Sequence, residues 1–416
     1  MKFYLFLTSL IKNIGGGHIY TVNKIKYLKS KGFMVDFYHA DIRHGGIVIN
    51  DLVSYENNCD FHLQYPPYIF SKKTQKNIVD AICEKIPKDC GEIIIESQTI
   101  ICATWGELVA NQLKAKHFIF LLSEHHNLHN EYIFEFFKYK LNRGELAGIQ
   151  KKSLPMLFKG WYKLRENEKY FLLAHCYNSL KNIPYSEIKK VPKSDYTIGS
   201  IGRIDKLYMI KILQLINVFA KNHPDKTFTL LIIGGSSNKN DTKKIYKIFK
   251  NTDNFKVFIT GLIYPIPVEL VLIPDVFVST SGSCRVSHSI GKTTIPIDNS
   301  DFKPIGILGE TTNNTLYRSE EIDSSIDNLL NDILFLKKYN SNVNFRESDF
   351  DINYDYSDHL EFVKRSDNSK VYFDISKAKL SLIDWIEKTG LVIFGRALYP
   401  EVVRLLSPIW MKLKRK

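Results

Sequence analysis

The chain is punctuated by short apolar runs, rich in β-branched residues, that each stop at a Gly, Ser or Asp and are separated by longer segments with helical patterning. The second half shows this most clearly. Thr197–Ile201 stops at Gly202-Arg203, Phe228–Ile233 at Gly234-Gly235, and Lys256–Thr260 at Gly261. Asp275–Ser279 stops at Ser281-Gly282-Ser283, and Thr293–Ile297 at Asp298. Leu207, Ile210, Leu213 and Ile216 carry one helix face between the first two runs. Runs that are apolar at consecutive positions suit strands buried on both faces, the condition of parallel sheets covered by helices. Their carboxyl ends then share one edge, where open α/β sheets bind ligands. This pattern sets the class as α/β and says where a site must be sought.

The first half repeats the pattern with interruptions. Phe3–Leu10, Met34–Tyr38, Ile93–Ile95 and Phe118–Leu122 are expected strands, and Phe171–Tyr177 is expected to be the last of the half. Val22, Ile25 and Leu28 recur at helical spacing up to Gly32. At 416 residues the chain is long enough for two or three domains. The polar stretch 184–195, with Pro184, Pro192 and Asp195, is the expected junction. The division expected is 1–190, 191–375, and a tail of amphipathic helices at 376–416 broken at Gly390 and Pro400. The apolar N-terminus leads into Gly15 without a small-residue cleavage site, so it is expected to be a strand and not a signal peptide. No stretch reaches the roughly 18 apolar residues of a membrane span. Six irregularly spaced cysteines without a Cys-x-x-Cys pair fit reduced thiols in a cytoplasm, and no zinc pattern is present.

Three strand ends carry anion-binding chemistry. Gly15-Gly16-Gly17 opens a helix, where missing side chains and the helix N-terminus favour an anion. The dinucleotide fingerprint fails there, because its third glycine falls on Tyr20, although Asp36 lies at the distance that fingerprint prefers. An empty strand-to-helix turn is the competing reading. Gly202 and Arg203 end a strand, and Arg203 with Lys206 can hold a diphosphate and stabilise its charge as it leaves. Either cation alone would be ordinary surface charge. Ser281, Gly282, Ser283 and Arg285 combine hydroxyls, backbone N–H groups and a guanidinium suited to pyrophosphate, or else form a plain β-to-α loop.

These pieces together resemble glycosyltransferase family 4, retaining enzymes of the GT-B fold. The resemblance is best over about residues 196–298, through "IGSIGRIDKLYMIKILQLINVFAKNHPDKTFTLLIIGG", "FKVFITG" and "PDVFVSTSGSCRVSHSIGKTTIPID". It is looser in "NIGGGHIYTVNKIKYLKSKGFMVDFYH". The family's usual Lys, five residues after the Arg of Gly-Arg, is Tyr208 here. Its paired Glu is absent as well, since no Glu occurs from residue 270 to 309 and Val286 stands where the second should fall. The Ser-Gly-Ser loop is expected to serve as a substitute cradle. Pro304–Thr312, "PIGILGETT", resembles a stretch of polysaccharide-cluster enzymes.

The resemblance implies two Rossmann-like domains facing a cleft, with final helices returning to the first. It implies a nucleotide-diphosphate sugar as donor on the second domain, no permanently bound cofactor and no metal. It implies a lipid-linked or envelope glycan acceptor on the first, such as a polyprenyl-diphosphate-linked sugar in O-antigen, capsule or lipopolysaccharide assembly. It also implies a cleft-facing His after the fourth strand, where Glu124, His125 and His126 stand. A catalytically inactive GT-B protein that binds a glycan or partner is the alternative reading.

Charge adds a second expectation. Lys and Arg exceed Asp and Glu by 57 − 44 = +13, which calls for an anionic partner. No nucleic-acid module accompanies it. Residues 138–169 hold 9 cations against 3 carboxylates, residues 396–416 hold 6 against 1, and residues 310–361 hold 4 against 12. Phe136 and Phe137 stand just before the first stretch, which itself carries Tyr139, Phe158, Trp161 and Tyr162, and the second carries Trp410. Basic and aromatic residues together suit an anionic membrane surface, here the inner face of the plasma membrane. The competing reading is a solvated basic face with packed aromatics.

Overall fold

The computed structural model describes residues 1–405 except 10, 13, 42–45, 123–127, 129, 152, 160–169, 237, 322 and 340–354. Two five-stranded parallel sheets dominate it. The first contains β1 (Lys2–Thr8), β2 (Phe33–His39), β3 (Glu92–Ser97), β4 (Lys116–Leu121) and β5 (Leu146–Gly148), in the order β2-β1-β3-β4-β5. Its helices are α1 (Gly16–Ser30), α2 (Lys72–Cys83), α3 (Ile100–Leu113), α4 (Glu131–Asn142) and α5 (Ser153–Leu157). A two-residue strand, β6 (Leu180–Lys181), then pairs with β10 (Ile266–Pro267) at the side of the second half.

The second large sheet contains β7 (Tyr196–Ile201), β8 (Phe228–Ile233), β9 (Phe255–Ile259), β11 (Val276–Ser279) and β12 (Thr294–Pro296), in the order β12-β11-β7-β8-β9. Its helices are α6 (Leu207–Asn222), α7 (Lys239–Ile248), α8 (Val268–Leu272), α9 (Gly282–His288) and α10 (Ile326–Leu334). α11 (Ser357–Arg365) and α12 (Leu382–Leu405) follow.

The strands form where the apolar runs lie, and β8 is buried at all six positions, as a central parallel strand must be when helices cover both faces. One expected strand is absent. Phe171–Tyr177 makes only an isolated bridge, Phe171 with Gly148. β5 is only three residues long, so its ladder ends at Gly148.

The packing also moves both junctions. Leu172, Ala174 and Cys176 belong to the first domain's core, whereas Tyr177, Leu180, Tyr185, Ile188 and Val191 pack into the second. The chain crosses at residue 176 or 177, before the polar stretch 184–195. The return to the first domain likewise begins earlier than 376. Tyr356 and Val363 are buried in the first domain's core.

His359 shows why the return is tight. Its Nδ1 lies 3.2 Å from the Lys24 ammonium and its Nε2 lies 2.9 Å from the Leu173 carbonyl. Lys24 and Glu96 are fully buried and pair at 2.5 Å. Glu96 also accepts from Tyr4 at 2.6 Å and Tyr20 at 2.8 Å. Burial depresses the Lys24 ammonium's pKa against the pull of Glu96. A buried pair holds only when further hydrogen bonds satisfy it, and here β1, α1, β3 and α11 all contribute. α12 closes the circuit, with Tyr399 packed among Phe61, Tyr65 and Ile69. Its break falls at Gly395 (φ 67°), not at Gly390 or Pro400. Gly390 is helical and receives the Tyr399 ring, which a Cβ there would meet at 2.2 Å.

Candidate functional site

In a doubly wound sheet, ligands bind where neighbouring strands send their crossovers to opposite faces. The first sheet changes direction between β1 and β3, and the second between β7 and β11. The residues after those four strands face one another. Thr8 and Ser9, Gln98 and Thr99, Gly202 and Arg203, and Thr280 and Ser281 all line one cleft of about 470 Å³. Gly15, Gly16, Gly17, Lys206, Tyr208, Gly282 and Ser283 line it as well. The three anion-binding candidates of the sequence therefore meet in one place.

Gly15 caps α1 with extended backbone, and no side chain caps it. None of the triplet has a positive φ, so the turn does not demand glycine. A Cβ on Gly16 would touch Cys176 Sγ at 3.4 Å, and one on Gly17 would touch Leu122 at 3.4 Å. These are ordinary contacts. The absence of side chains leaves the cleft floor open beneath a helix N-terminus, whose unpaired N–H groups favour an anion. Gly202 is different, because its φ of +150° is a glycine conformation. Gly234 packs directly on it, where a Cβ would lie 2.0 Å from the Gly202 carbonyl oxygen. That close approach sets the start of the Arg203 loop.

Arg203 spans the cleft. Its Nη1 lies 3.6 Å from the position a Gly15 Cβ would take, and His18 Nδ1 lies 3.7 Å from the same point. A guanidinium of the second domain and an imidazole of the first thus share one small volume. Arg203 is aimed by Asp205, which accepts from Nε at 2.9 Å and also from Nη2. The Asp205 hydrogen bond raises the guanidinium's pKa. Burial alone would raise the Asp205 carboxyl, but Arg203 outweighs it and holds the carboxyl below its usual range. Lys206 is the N-cap of α6. Tyr208 also faces the cleft, with its hydroxyl 3.3 Å from where a Gly202 Cβ would be.

The serine loop is strained. Ser281 has φ 56° and ψ −138°, a region costing of order 1–3 kcal/mol for a residue with a side chain. Its N–H donates to the Thr315 carbonyl at 2.5 Å, and the Thr280 hydroxyl donates to the Ile297 carbonyl at 2.9 Å. Arg285 departs from expectation. It is exposed, outside the cleft lining, with its guanidinium 6.0 Å from the Tyr177 ring. It sits one turn into α9, which carries it away from the loop. Glu124, His125 and His126 lie outside the described residues.

His18 is a cleft imidazole that none of the sequence expectations includes. Its signal was its place directly after the triplet, in the first turn of a helix that points at the cleft. Gln98, Thr99 and Asn299 line the cleft too. They follow β3 and β12, and only the tertiary arrangement brings them in.

A second cluster has the look of a nucleophile triad. Ser97 Oγ lies 2.9 Å from His117 Nε2, and His117 Nδ1 lies 2.7 Å from Glu107 Oε2. All three are fully buried, so no substrate reaches the hydroxyl. Burial and the nearby Lys140 lower the His117 pKa. Burial opposes ionisation of Glu107, but Lys140 and His117 pull its pKa down to about 2. The cluster holds the end of β3, from which Gln98 and Thr99 enter the cleft.

The same network corrects the first basic patch. Lys140 is buried between Glu107 at 2.8 Å and Glu145 at 2.5 Å, and Arg143 pairs with Glu145 and Asp367 at 2.9 Å each. Phe136, Phe137 and Phe158 are fully buried core. The apolar face of α4 explains both facts. Trp161 and Tyr162 lie outside the described residues. Among the described residues, no group of His, Cys, Asp or Glu could hold a metal ion.

No family model matches the chain, and no curated protein matches it. Solved structures do. A glycosyltransferase from Rickettsia africae ESF-5 aligns over 97% of this chain and 98% of its own, with a TM-score of 0.56 at 17% identity. The fold is GT-B. A UDP-GlcNAc 2-epimerase from Neisseria meningitidis, solved with UDP-GlcNAc, covers 88% of this chain and 100% of its own, with a TM-score of 0.46 at 13% identity. A sucrose-phosphate synthase from Thermosynechococcus elongatus covers 70% and 80%, with a TM-score of 0.45 at 14% identity. The GT-B assignment agrees with the sheet orders and with the C-terminal helices that pack on the first domain.

Proposed function

We propose that this protein is a glycosyltransferase that takes a sugar from a nucleotide-diphosphate sugar and passes it to an acceptor hydroxyl. The observation that carries this reading is Arg203. It projects from the second domain's switch point into the volume beside Gly15 and His18 of the first. A cation so placed sits where a donor on one domain and an acceptor on the other would meet.

The donor diphosphate lies along Gly202, Arg203, Lys206 and the Ser281–Ser283 loop. The bond from sugar C1 to the diphosphate oxygen breaks, and Arg203 and Lys206 stabilise the charge that develops on that oxygen. The acceptor oxygen bonds to C1 from the same face, in keeping with the resemblance to retaining enzymes. Its proton passes to the departing diphosphate oxygen or to His18. Tyr208 stands where family members have a second cation, so the charge rests on Arg203 and Lys206. No permanently bound cofactor or metal takes part.

The acceptor is a lipid-linked or envelope glycan, of the kind built during O-antigen, capsule or lipopolysaccharide assembly. The protein acts at the inner face of the plasma membrane. The basic C-terminal residues and the absence, among the described residues, of any helix long and apolar enough to cross a membrane support a peripheral placement. The test is a panel of nucleotide sugars scored by thermal stabilisation, because a ligand bound only to the folded state raises apparent stability. The stabilising donors are then incubated with acceptors. A stabilising donor and a transferred sugar are expected. A panel without any stabilising nucleotide would overturn the reading.

A further inference from the structure

Phe136, Phe137 and Phe158, in and beside the first basic stretch, are buried in the core, but α12 does the opposite. One side of α12 is anchored to the first domain. The Asp384 carboxylate accepts from the Ser381 N–H at 2.8 Å, and from Asn130 and the Tyr68 hydroxyl at 3.4 Å each. Tyr399 packs on Gly390 across the Gly395 break. The other side is apolar and bare. Leu382 is 75% exposed, Trp385 57%, Val392 77%, Ile393 67% and Leu398 62%. Positions 382, 385 and 392 share one helical face, and Lys388 stands exposed among them.

A monomeric protein rarely leaves such a patch without a partner. We infer that this face of α12 lies on an anionic lipid bilayer, with its apolar side chains among the acyl chains. Two observations select lipid. Residues 396–416 carry 6 cations against 1 carboxylate, a charge that anionic lipid neutralises and a second copy of the same chain would repel. Trp385 on the face brings the amphipathic ring that favours the headgroup boundary. Among the described residues no helix is long and apolar enough to span, so α12 rests on the surface. The Gly395 turn lets its two segments lie at different angles. This deepens the peripheral placement proposed above and rests on that reading of the tail's charge. Its test needs neither donor nor transfer.

The experiment is flotation of the full-length protein with phosphatidylcholine vesicles, with and without phosphatidylglycerol, at low and high salt. Wild type is expected to float with the phosphatidylglycerol vesicles and to lose binding as salt screens the tail. The V392D/I393D variant alters two exposed positions, so its melting temperature is expected to match wild type while vesicle binding falls about tenfold or more. Equal binding by the variant, or no binding by wild type, overturns the inference. So does a concentration-dependent dimer that V392D/I393D dissolves, which would make the face a contact between copies. Sugar transfer to a soluble acceptor is read separately. Its failure beside intact vesicle binding would sink the enzymatic reading and leave the surface standing.

Discussion

Removing Arg203 does more than delete a cation. Arg203 and Asp205 form a fork in which Asp205 holds Nε and Nη2, leaving Nη1 near Gly15 for a ligand. Their side chains are 23% and 30% exposed, so both are felt inside the cleft. A charged hydrogen bond to a diphosphate contributes about 1.5–3 kcal/mol. Without Arg203, the Asp205 carboxylate faces the diphosphate unmasked. A phosphate on the far edge of the guanidinium would sit roughly 6–7 Å from it, where like charges at an effective dielectric of about 20 repel by about 2.5 kcal/mol. Solvent at this partly exposed pair screens that to about 1 kcal/mol. The R203A variant is therefore expected to weaken binding of the nucleoside diphosphate that the stabilisation panel selects by about 2.5–4 kcal/mol, or roughly 70- to 900-fold. R203A/D205N should recover about five- to tenfold of that loss, because the unmasked carboxylate is gone. Isothermal titration with that nucleoside diphosphate for wild type, both single variants and the double variant measures this. R203A binding within threefold of wild type would refute the placement of the diphosphate. A double variant no better than R203A would refute the masking argument.

Three further outcomes follow from the same geometry. Gly16→Val places branches in the cleft where only ordinary contact with Cys176 resists them. It should fold normally and keep its stabilisation by the nucleoside diphosphate while losing sugar transfer, read by melting temperature and product assay. Cys176 adjoins both Gly16 and Gly282, so the nucleoside diphosphate that the panel selects should slow its alkylation by iodoacetamide, followed by peptide mass spectrometry, without slowing that of Cys83. Glu107, held at about 2 by Lys140 and His117, has a folded pKa below its unfolded value of about 4.3. Its contribution, about 3 kcal/mol, is therefore present above that unfolded value and lost as pH falls toward 2. Glu107→Gln should flatten the acid limb of a stability profile measured by denaturant titration between about pH 5 and 2.5.

Much of the framework is legible in residue order. Each β-branched run of the second half became a strand, and in β8 all six residues are buried, since a parallel strand covered on both faces gives a continuous apolar run no other place. The glycines that end them mark the cleft for the same reason, since a chain turning sharply into a helix leaves backbone exposed there. Pairing is not local, so the strand orders that create the two switch points could not be read. Nor could the meeting of Arg203 with His18, which are separated in sequence by nearly the whole first domain. Phe171–Tyr177 was apolar enough for a strand but had too short a neighbour to pair with. Phe136 and Phe137 looked like an interface because their neighbours are basic, yet the neighbouring Lys140 is itself internal, neutralised by carboxylates from α3 and the turn after α4. Composition records how many charges there are, and only the fold decides which of them meet water.

The inward placement of Tyr356 and His359 governs when the molecule can exist at all. The first domain's strands are all encoded before residue 149, yet Lys24 and Glu96 acquire their last buried neighbour from α11. On a ribosome adding about 5–20 residues per second, the first domain waits roughly 10–40 s after its last strand has been made before that neighbour emerges. During that interval the second domain can complete its own sheet, so the domain encoded last is able to finish first. Cutting the gene between the two halves would yield a second domain with its sheet intact and a first domain with a hole in its core.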